Sequence, residues 1–198
     1  MSCLSIITSM KPALFLDRDG VIIENRSNYV RAWSDVSIYP QAIEALIKVK
    51  SSGYKTIIIT NQSAVRRGLI SSEMAQEINL RLIEEIQSAG GRIDGLFMCP
   101  HAPHDNCACR KPQPGLILEA ADSLSLDLSC SILVGDALSD IKAGQSAGVG
   151  KNVLVRTGRG DAQSTIALSD QIPPFLIYDT LADALSDLIP LPGDLSTT

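Results

Sequence analysis

The sequence of 198 residues has no apolar run close to the roughly 18–20 residues that a membrane-spanning helix needs. The apolar segment 4–7 is too short for a signal-peptide core, and no basic residue precedes it. The charge balance is acidic, with a formal net charge of −5 and a pI near 5.0, which argues against nucleic-acid binding as the main activity. Neither an internal repeat nor a heptad pattern is found. These absences predict a cytoplasmic protein that binds neither membranes nor nucleic acids, and a monomer by default.

Cysteine is scarce, yet three of the five cysteines fall in one short stretch that also holds both histidines. Clustering of this kind, without a secretory signal, indicates a metal site rather than disulfides. Cys99, His101, Cys107 and Cys109 supply three thiolates and an imidazole, which suit a closed tetrahedral Zn²⁺ site. His104 is left out because a fifth ligand is not needed. We therefore predict a structural zinc in this segment, the Cys/His loop (residues 99–109). The alternative is a set of free cysteines beside a surface histidine.

Short apolar runs alternate with amphipathic segments along the chain, which predicts βαβ units and a parallel sheet covered on both faces. Strands are predicted at 13–16, 55–60, 96–99, 132–134, 153–155 and 175–178. Helices are predicted to begin at Pro40, after a cap at Ser71 or Ser72, at Pro114, after Asp136 and at Leu181. The face of the second helix is expected to comprise Met74, Ile78, Leu82 and Ile86. The segment 158–174 is expected to be a loop.

This pattern predicts a doubly wound, Rossmann-like α/β fold in a single domain over residues 11–190. Residues 1–10 are interpreted as a disordered leader or a misassigned start, with Met10 as the alternative first residue, and residues 191–198 as a disordered tail. The intervals between the predicted elements are too short for a cap domain. An open active site is therefore expected, with surface loops that determine substrate specificity.

Two carboxylates follow the first predicted strand, in the run Phe15-Leu16-Asp17-Arg18-Asp19-Gly20. Like charges this close repel, so Asp17 and Asp19 are costly to hold together unless a cation or a shared proton offsets the repulsion. Taken alone, the pair also fits an acidic turn in which Gly20 supplies a positive φ. The polar residues at other strand ends favour the functional interpretation.

Several other predicted strands also end in polar groups. Thr60 and Asn61 end the second strand, and Asp136 with Asp140 follows the fourth; Arg110 and Lys111 precede the third crossover helix. Because the carboxyl ends of parallel strands share one edge of the sheet, these groups are expected to converge. Acidic groups around a hard cation, a hydroxyl and a lysine are what Mg²⁺-dependent phosphoryl transfer requires.

Four ordered motifs carry a resemblance to the haloacid dehalogenase superfamily over residues 11–160. They are Asp17-Arg18-Asp19-Gly20-Val21, Ile59-Thr60-Asn61-Gln62-Ser63, Arg110-Lys111-Pro112, and Gly135-Asp136 with Asp140. More narrowly, Cys-Pro-His, Cys-x-Cys-Arg-Lys-Pro-x-Pro-Gly and Val-Leu-Val-Arg-Thr-Gly are similar to the heptose-1,7-bisphosphate 7-phosphatase family. The resemblance implies a sugar phosphate substrate and a place in nucleotide-activated heptose biosynthesis.

The resemblance also implies residue roles. Asp17 would attack phosphorus as the nucleophile, and Asp19 would act as general acid and then general base. Catalytic Mg²⁺ would be held by the Asp17 carboxylate, the Asp19 backbone carbonyl and Asp136. Contacts to substrate or phosphate are implied for Arg26, Asn28, Thr60, Asn61, Gln62, Ser63, Arg110 and Lys111. Asp140 fits either direct ligation or a role as a helix N-terminal charge or partner of Lys111.

Two departures from the family pattern leave the substrate open. Ala137 stands where a basic residue is common, so one contact is missing or comes from Arg66 or Arg67. The short gap between His101 and Cys107 resembles histidinol-phosphate phosphatases, which makes histidinol phosphate the alternative substrate. A phospho-receiver domain is the alternative from another functional class. The second acid at Asp19 favours turnover, because an acid/base two residues from the nucleophile serves both half-reactions.

Overall fold

The computed structural model describes residues 10–167 and 172–189, and its centre is one parallel sheet. The strands are β1 (Lys11–Leu16), β2 (Lys55–Asn61), β3 (Gly95–Cys99), β4 (Leu126–Gly135), β5 (Lys151–Val155) and β6 (Leu176–Tyr178). Their order is β3-β2-β1-β4-β5-β6, and every neighbouring pair is parallel. The predicted α/β class is therefore confirmed. The predicted leader, apart from Met10, and the predicted tail lie outside the described residues.

Helices cover both faces of the sheet. They are α1 (Pro40–Val49), α2 (Ser63–Arg66), α3 (Ser72–Ser88), α4 (Gly115–Leu124), α5 (Leu138–Ala147), α6 (Gly160–Ala167) and α7 (Leu181–Leu188). Side chains alternate along a strand, so Leu14 and Leu16 join a core with α1, α3 and α7, whereas Phe15 joins a core with α4 and α5. Within the described residues, no helix is both long and apolar enough to cross a bilayer.

The predicted buried face of α3 is wrong at its first residue. Met74 is 38% exposed, and Ala75 takes its place in the core with Ile78, Leu82 and Ile86. The N-terminal cap accounts for this position, because the Ser71 side chain accepts a hydrogen bond from the Met74 backbone N–H at 3.1 Å. Met74 thus lies in the first, solvent-facing turn.

The predicted loop over residues 158–174 is also wrong, since α6 occupies its first half. This helix has few apolar residues and begins at a glycine, so its sequence carries no clear periodicity. Polar contacts fix its first turns instead. The Ser164 hydroxyl donates to the Asp161 carbonyl at 2.7 Å, and Arg156 donates to the Asp161 carboxylate at 3.1 Å.

The strand order brings the polar residues together beyond the carboxyl end of β1, a central strand of the sheet. From β1 the chain passes to β2 and β3 on one side of β1, and from β3 it returns to β4 on the other side. Such a reversal of direction leaves a crevice beyond the carboxyl ends of the central strands, where open α/β sheets bind ligands. Asp17 follows β1 and Asp136 follows β4, so both residues lie at this edge of the sheet.

Candidate active site

Three carboxylates form a buried cluster beyond β1 and β4. One oxygen from each of Asp17, Asp136 and Asp140 lies within 4.8 Å of the others. Their exposed fractions are 6%, 0% and 1%, respectively. Burying three acidic groups together is unfavourable unless cations offset them. The donor set consists of oxygen atoms alone, which fits a hard divalent cation such as Mg²⁺.

Lys111 supplies one buried positive charge to this cluster. Its ammonium lies 2.8 Å from an Asp17 oxygen and 2.6 Å from an Asp140 oxygen, and it donates to the Ile59 carbonyl at 2.8 Å. Asn61 fixes the lysine backbone: its side chain accepts from the Lys111 N–H and donates to the Lys111 carbonyl, both at 3.1 Å. The convergence predicted for these strand ends is therefore present.

Burial raises the pKa of Asp17 to about 7, and Lys111 opposes this rise while Asp140 and Asp136 add to it. Burial would lower the pKa of Lys111, but Asp140 and Asp17 raise it above its ordinary value. The lysine therefore stays charged at neutral pH, and the cluster still has negative charge to offset. A divalent cation would supply the missing positive charge.

Asp140 makes both of the contacts that the sequence suggested as alternatives to metal ligation. One carboxylate oxygen accepts from the Ala137 backbone N–H at 3.0 Å, and the other pairs with Lys111 at 2.6 Å. The first contact caps α5, whereas the second orients the lysine. Both favour a positioning role over direct ligation.

Glycine lets the backbone approach Asp136 closely. Gly20 has φ +87°, and a Cβ at this position would lie 2.1 Å from an Asp136 carboxylate oxygen. Gly158 has φ +61°, and a Cβ there would lie 2.4 Å from the same oxygen. Any larger side chain at either glycine would displace the carboxylate.

Asp19 lies apart from the three buried carboxylates and is 21% exposed. Arg18 donates to both of its oxygens, from Nε at 2.9 Å and from Nη2 at 3.1 Å, and Gln62 donates to one of them at 3.0 Å. Arg18 is itself buried and donates to the Asn79 side chain on α3 at 2.7 Å. Sequence reasoning missed Arg18 and Asn79, because these two residues are distant in sequence and only α3 brings them together.

An open cavity of about 570 Å³ lies above the cluster. Of the predicted site residues it is lined by Asp17, Asp19, Arg26, Asn61, Gln62, Ser63, Arg110 and Lys111. Asn28 is exposed and outside the lining, although both of its neighbours contribute to it. Thr60 is 1% exposed and also outside the lining, with its hydroxyl accepting from Gln62 at 2.8 Å.

The two arginines considered as substitutes for a basic residue at Ala137 behave differently. Arg67 lines the cavity, whereas Arg66 lies outside the lining and pairs with Asp105 at 3.2 Å. A further cavity residue, Arg159, was not predicted at all. Its guanidinium lies 2.8 Å from an Asp136 oxygen, and hydrogen bonding to Asp136 raises the pKa of Arg159 above its ordinary value. The one sequence signal for Arg159 was its place directly after the Val-Arg-Thr-Gly run.

The four predicted zinc ligands lie together at the end of β3. Cys99 Sγ is 3.6 Å from Cys107 Sγ and 3.1 Å from Cys109 Sγ, and His101 Nδ1 is 3.3 Å from Cys109 Sγ. These separations are far longer than a disulfide bond of about 2.05 Å. They approach the edges of about 3.8 Å expected for a tetrahedron with Zn–S bonds of about 2.3 Å. His104 is 72% exposed and outside this group.

The Cys/His loop is connected directly to the cavity. Arg110 follows Cys109 in sequence, and its guanidinium donates to the His101 carbonyl at 3.0 Å. Burial raises the pKa of Cys99, with the contact to Cys109 adding to the rise. A bound cation would offset this cost by holding the sulfur as a thiolate. The loop thus joins a candidate metal site to a cavity-lining cation.

Comparison with known proteins gives consistent results. A HAD-hydrolase-like family profile matches residues 108–184. The chain is 39% identical over 155 residues to the D-glycero-beta-D-manno-heptose-1,7-bisphosphate 7-phosphatase of Photorhabdus laumondii, a match that covers 75% of this chain and 82% of the relative. A second P. laumondii protein, the corresponding alpha-named phosphatase, is 39% identical over 158 residues, covering 76% of this chain and 86% of the relative.

A solved structure agrees with these relatives. The D,D-heptose 1,7-bisphosphate phosphatase from B. bronchiseptica, complexed with magnesium and phosphate, has a TM-score of 0.83 and 31% identity, covering 89% of this chain and 97% of that chain. The superfamily predicted from the four motifs is therefore confirmed. The chain belongs to the heptose-1,7-bisphosphate 7-phosphatase family of HAD-like hydrolases.

Proposed function

We propose that this protein is a Mg²⁺-dependent phosphatase that hydrolyses the 7-phosphate of D-glycero-D-manno-heptose 1,7-bisphosphate. The observation that carries the proposal is the Lys111 ammonium, which lies 2.8 Å from Asp17 and 2.6 Å from Asp140 at the floor of the cavity. A nucleophilic carboxylate beside a fixed cation is the arrangement that phosphoryl transfer needs. The names of the similar proteins support the choice of substrate.

In the first half-reaction, an Asp17 oxygen attacks the phosphorus of the 7-phosphate. The bond from phosphorus to the sugar oxygen breaks, the electron pair goes to that oxygen, and Asp19 donates a proton to it. Lys111 offsets negative charge on the transferred group, and Asp140 keeps the lysine in place. The products of this step are the sugar 1-phosphate and an aspartyl phosphate on Asp17.

In the second half-reaction, Asp19 takes a proton from water, and the water oxygen attacks phosphorus. The bond to Asp17 breaks, the carboxylate is restored, and inorganic phosphate leaves. Mg²⁺, held by the carboxylates of Asp17 and Asp136 and the Asp19 carbonyl, would offset charge on the phosphate oxygens in both steps. Gln62 and Arg18, which donate to Asp19, position the acid/base between the two half-reactions.

The rim of the cavity supports a substrate with a second anionic group. Arg26, Arg67 and Arg110 line it in addition to the buried lysine. Guanidinium groups engage phosphate oxygens in a planar, bidentate manner. We therefore assign the anomeric phosphate, which is not hydrolysed, to this rim.

Zn²⁺ is proposed as a structural ion held by Cys99, His101, Cys107 and Cys109. Four protein ligands leave no open position for substrate. Its effect on catalysis would be indirect, through the loop that delivers Arg110 and Lys111. The cytoplasmic location, the monomeric state and the absence of nucleic-acid partners remain predictions.

The test is a comparison of kcat/KM for the heptose bisphosphate and for histidinol phosphate, with saturating Mg²⁺. We expect the heptose bisphosphate to be preferred, and Asp17→Asn to lower its turnover by several orders of magnitude, as is usual for a covalent nucleophile. Circular dichroism of the variant checks whether it is folded before its turnover is compared. A preference for histidinol phosphate would overturn the substrate, and near-wild-type turnover by folded Asp17→Asn would overturn the mechanism.

A further inference from the structure

Two cations of different character pair with the three carboxylates of the acid cluster. The buried Lys111 pairs with Asp17 and Asp140, whereas Asp136 pairs with Arg159. The guanidinium donates to one Asp136 oxygen at 2.8 Å and to the other at 3.2 Å, and the Arg159 backbone N–H donates to the latter at 2.9 Å. Asp136 is 0% exposed, but the arginine side chain is 56% exposed.

We propose that the Arg159 guanidinium is a tethered counter-ion of Asp136 that Mg²⁺ displaces, so that Arg159 sets the affinity of the site for Mg²⁺. The inference rests on the proposed function, because it takes Asp136 as a ligand of Mg²⁺. It adds a role for a residue on the loop after β5, which sequence reasoning did not assign.

The contacts of Asp136 explain why the two cations compete. One carboxylate oxygen already accepts three hydrogen bonds, from Arg159 N, Arg159 Nε and Asn25 Nδ2, the last at 3.1 Å. A carboxylate oxygen offers about two lone-pair directions, so this oxygen has none left for a metal. A dication on the other oxygen would lie close to the guanidinium, and like charges repel strongly in a partly buried site. Mg²⁺ and the guanidinium therefore exclude each other at this carboxylate.

The backbone around Arg159 is fixed even though its side chain can leave. A Cβ at Gly158 would lie 2.5 Å from Gly20 Cα, and the Thr157 hydroxyl donates to the Gly20 carbonyl at 2.5 Å. The loop is thus packed tightly against the turn after β1. The guanidinium already lines the cavity, so it can swing into that space while the backbone N–H stays on Asp136. Bound phosphate would attract it there.

The test measures Mg²⁺ binding by isothermal titration calorimetry without substrate, on protein that retains its zinc and has seen no chelator. Arg159→Gln removes the competing charge, so we expect the Mg²⁺ Kd to fall by about tenfold or more. In Arg159→Lys, where an ammonium lacks the guanidinium fork, we expect a fall of about threefold. Arg156→Gln is the matched control: it removes the same charge from the same loop, but Arg156 pairs with Asp161 and Asp179. Its Kd should change by less than about twofold.

A thermal melt in Mg²⁺-free buffer is the second readout. Arg159→Gln should melt below wild type there, because Asp136 loses its ion-pair partner, and the difference should close as Mg²⁺ is added. A Kd in Arg159→Gln equal to or weaker than that of wild type overturns the inference, as does equal tightening in Arg156→Gln. If Arg159→Gln does not fold, Arg159→Lys becomes the deciding variant. A Mg²⁺ Kd of Arg159→Lys equal to that of wild type then overturns the inference. Wild-type protein that binds no Mg²⁺ would overturn the proposed function as well, whereas an unchanged Kd in the variant overturns this inference alone.

Discussion

Asp17→Asn should stabilise the Mg²⁺-free protein at neutral and alkaline pH, although it removes the proposed nucleophile. Burial raises the pKa of Asp17 from its ordinary value of 3.8 to about 7. The unfolded chain therefore releases this proton near its ordinary pKa, whereas the folded chain keeps it until about pH 7. It follows that wild type loses stability as the pH rises between these two values, and that the loss is complete above the higher one.

The size of the effect follows from the two pKa values. At roughly 1.4 kcal/mol per pKa unit, the ionised, buried carboxylate costs about 4 kcal/mol. An amide avoids this cost, but its N–H₂ group stands beside the Lys111 ammonium or lacks an acceptor, which offsets on the order of 2 kcal/mol. The net gain of about 2 kcal/mol should raise the Tm by about 4–8 °C for a chain of this size.

The assay is thermal unfolding of wild type and Asp17→Asn at several pH values, in Mg²⁺-free buffer without chelator so that zinc is retained. The variant should melt higher at about pH 8, and the difference should shrink as the pH falls toward about 4. Added Mg²⁺ should stabilise wild type more than the variant, because the variant lacks one charged ligand. A variant that melts at or below wild type at every pH would refute the reasoning that burial of this carboxylate is costly.

Two further predictions test the metal sites with matched controls. Cys107→Ser should lose zinc, melt lower and turn over about a hundredfold more slowly with Mg²⁺ saturating, because zinc no longer holds the Cys/His loop that positions Arg110 and Lys111. The exposed Cys130 lies outside the cluster, so Cys130→Ser should keep zinc and rate; zinc-free Cys107→Ser with wild-type rate and Tm would contradict a structural role. Gly20→Ala should lower kcat and weaken Mg²⁺ binding by about a hundredfold, because the new Cβ meets the buried Asp136 carboxylate. Gly53 has a similar φ of +85° but nothing within 4 Å, so Gly53→Ala should cost only about 1 kcal/mol of stability; equal kinetics for both variants would exclude the proposed clash.

The sequence was sufficient for the parts of the site that follow buried strands directly. Asp17 and Asp136 each come after an apolar run, so their shared position at one edge of the sheet could be predicted from strand order alone. Lys111 could be placed near them because it precedes the crossover helix between β3 and β4. The Cys/His cluster was predictable because its ligands lie within eleven residues of one another.

Contacts that depend on the exact path of a loop could not be predicted. Arg159 reaches Asp136 because Gly158 takes a positive φ, and no local pattern specifies this conformation for a glycine. Arg18 and Asn79 meet only because of the rotation of α3 about its axis. The sequence pattern predicted the first buried residue of this helix wrongly, so it could not predict that rotation. The helix α6 was missed for a related reason, since polar contacts rather than an apolar face hold its first turns.

The most direct test of the account is ³¹P NMR of heptose 1,7-bisphosphate during turnover by the zinc-retaining enzyme with Mg²⁺. The account predicts that the resonance of the 7-phosphate ester disappears while inorganic phosphate grows in equal amount, and that the anomeric 1-phosphate resonance remains. Asp17→Asn should leave both ester resonances unchanged over the same period. Loss of the anomeric phosphate first, or release of phosphate that does not depend on Mg²⁺, would contradict the account.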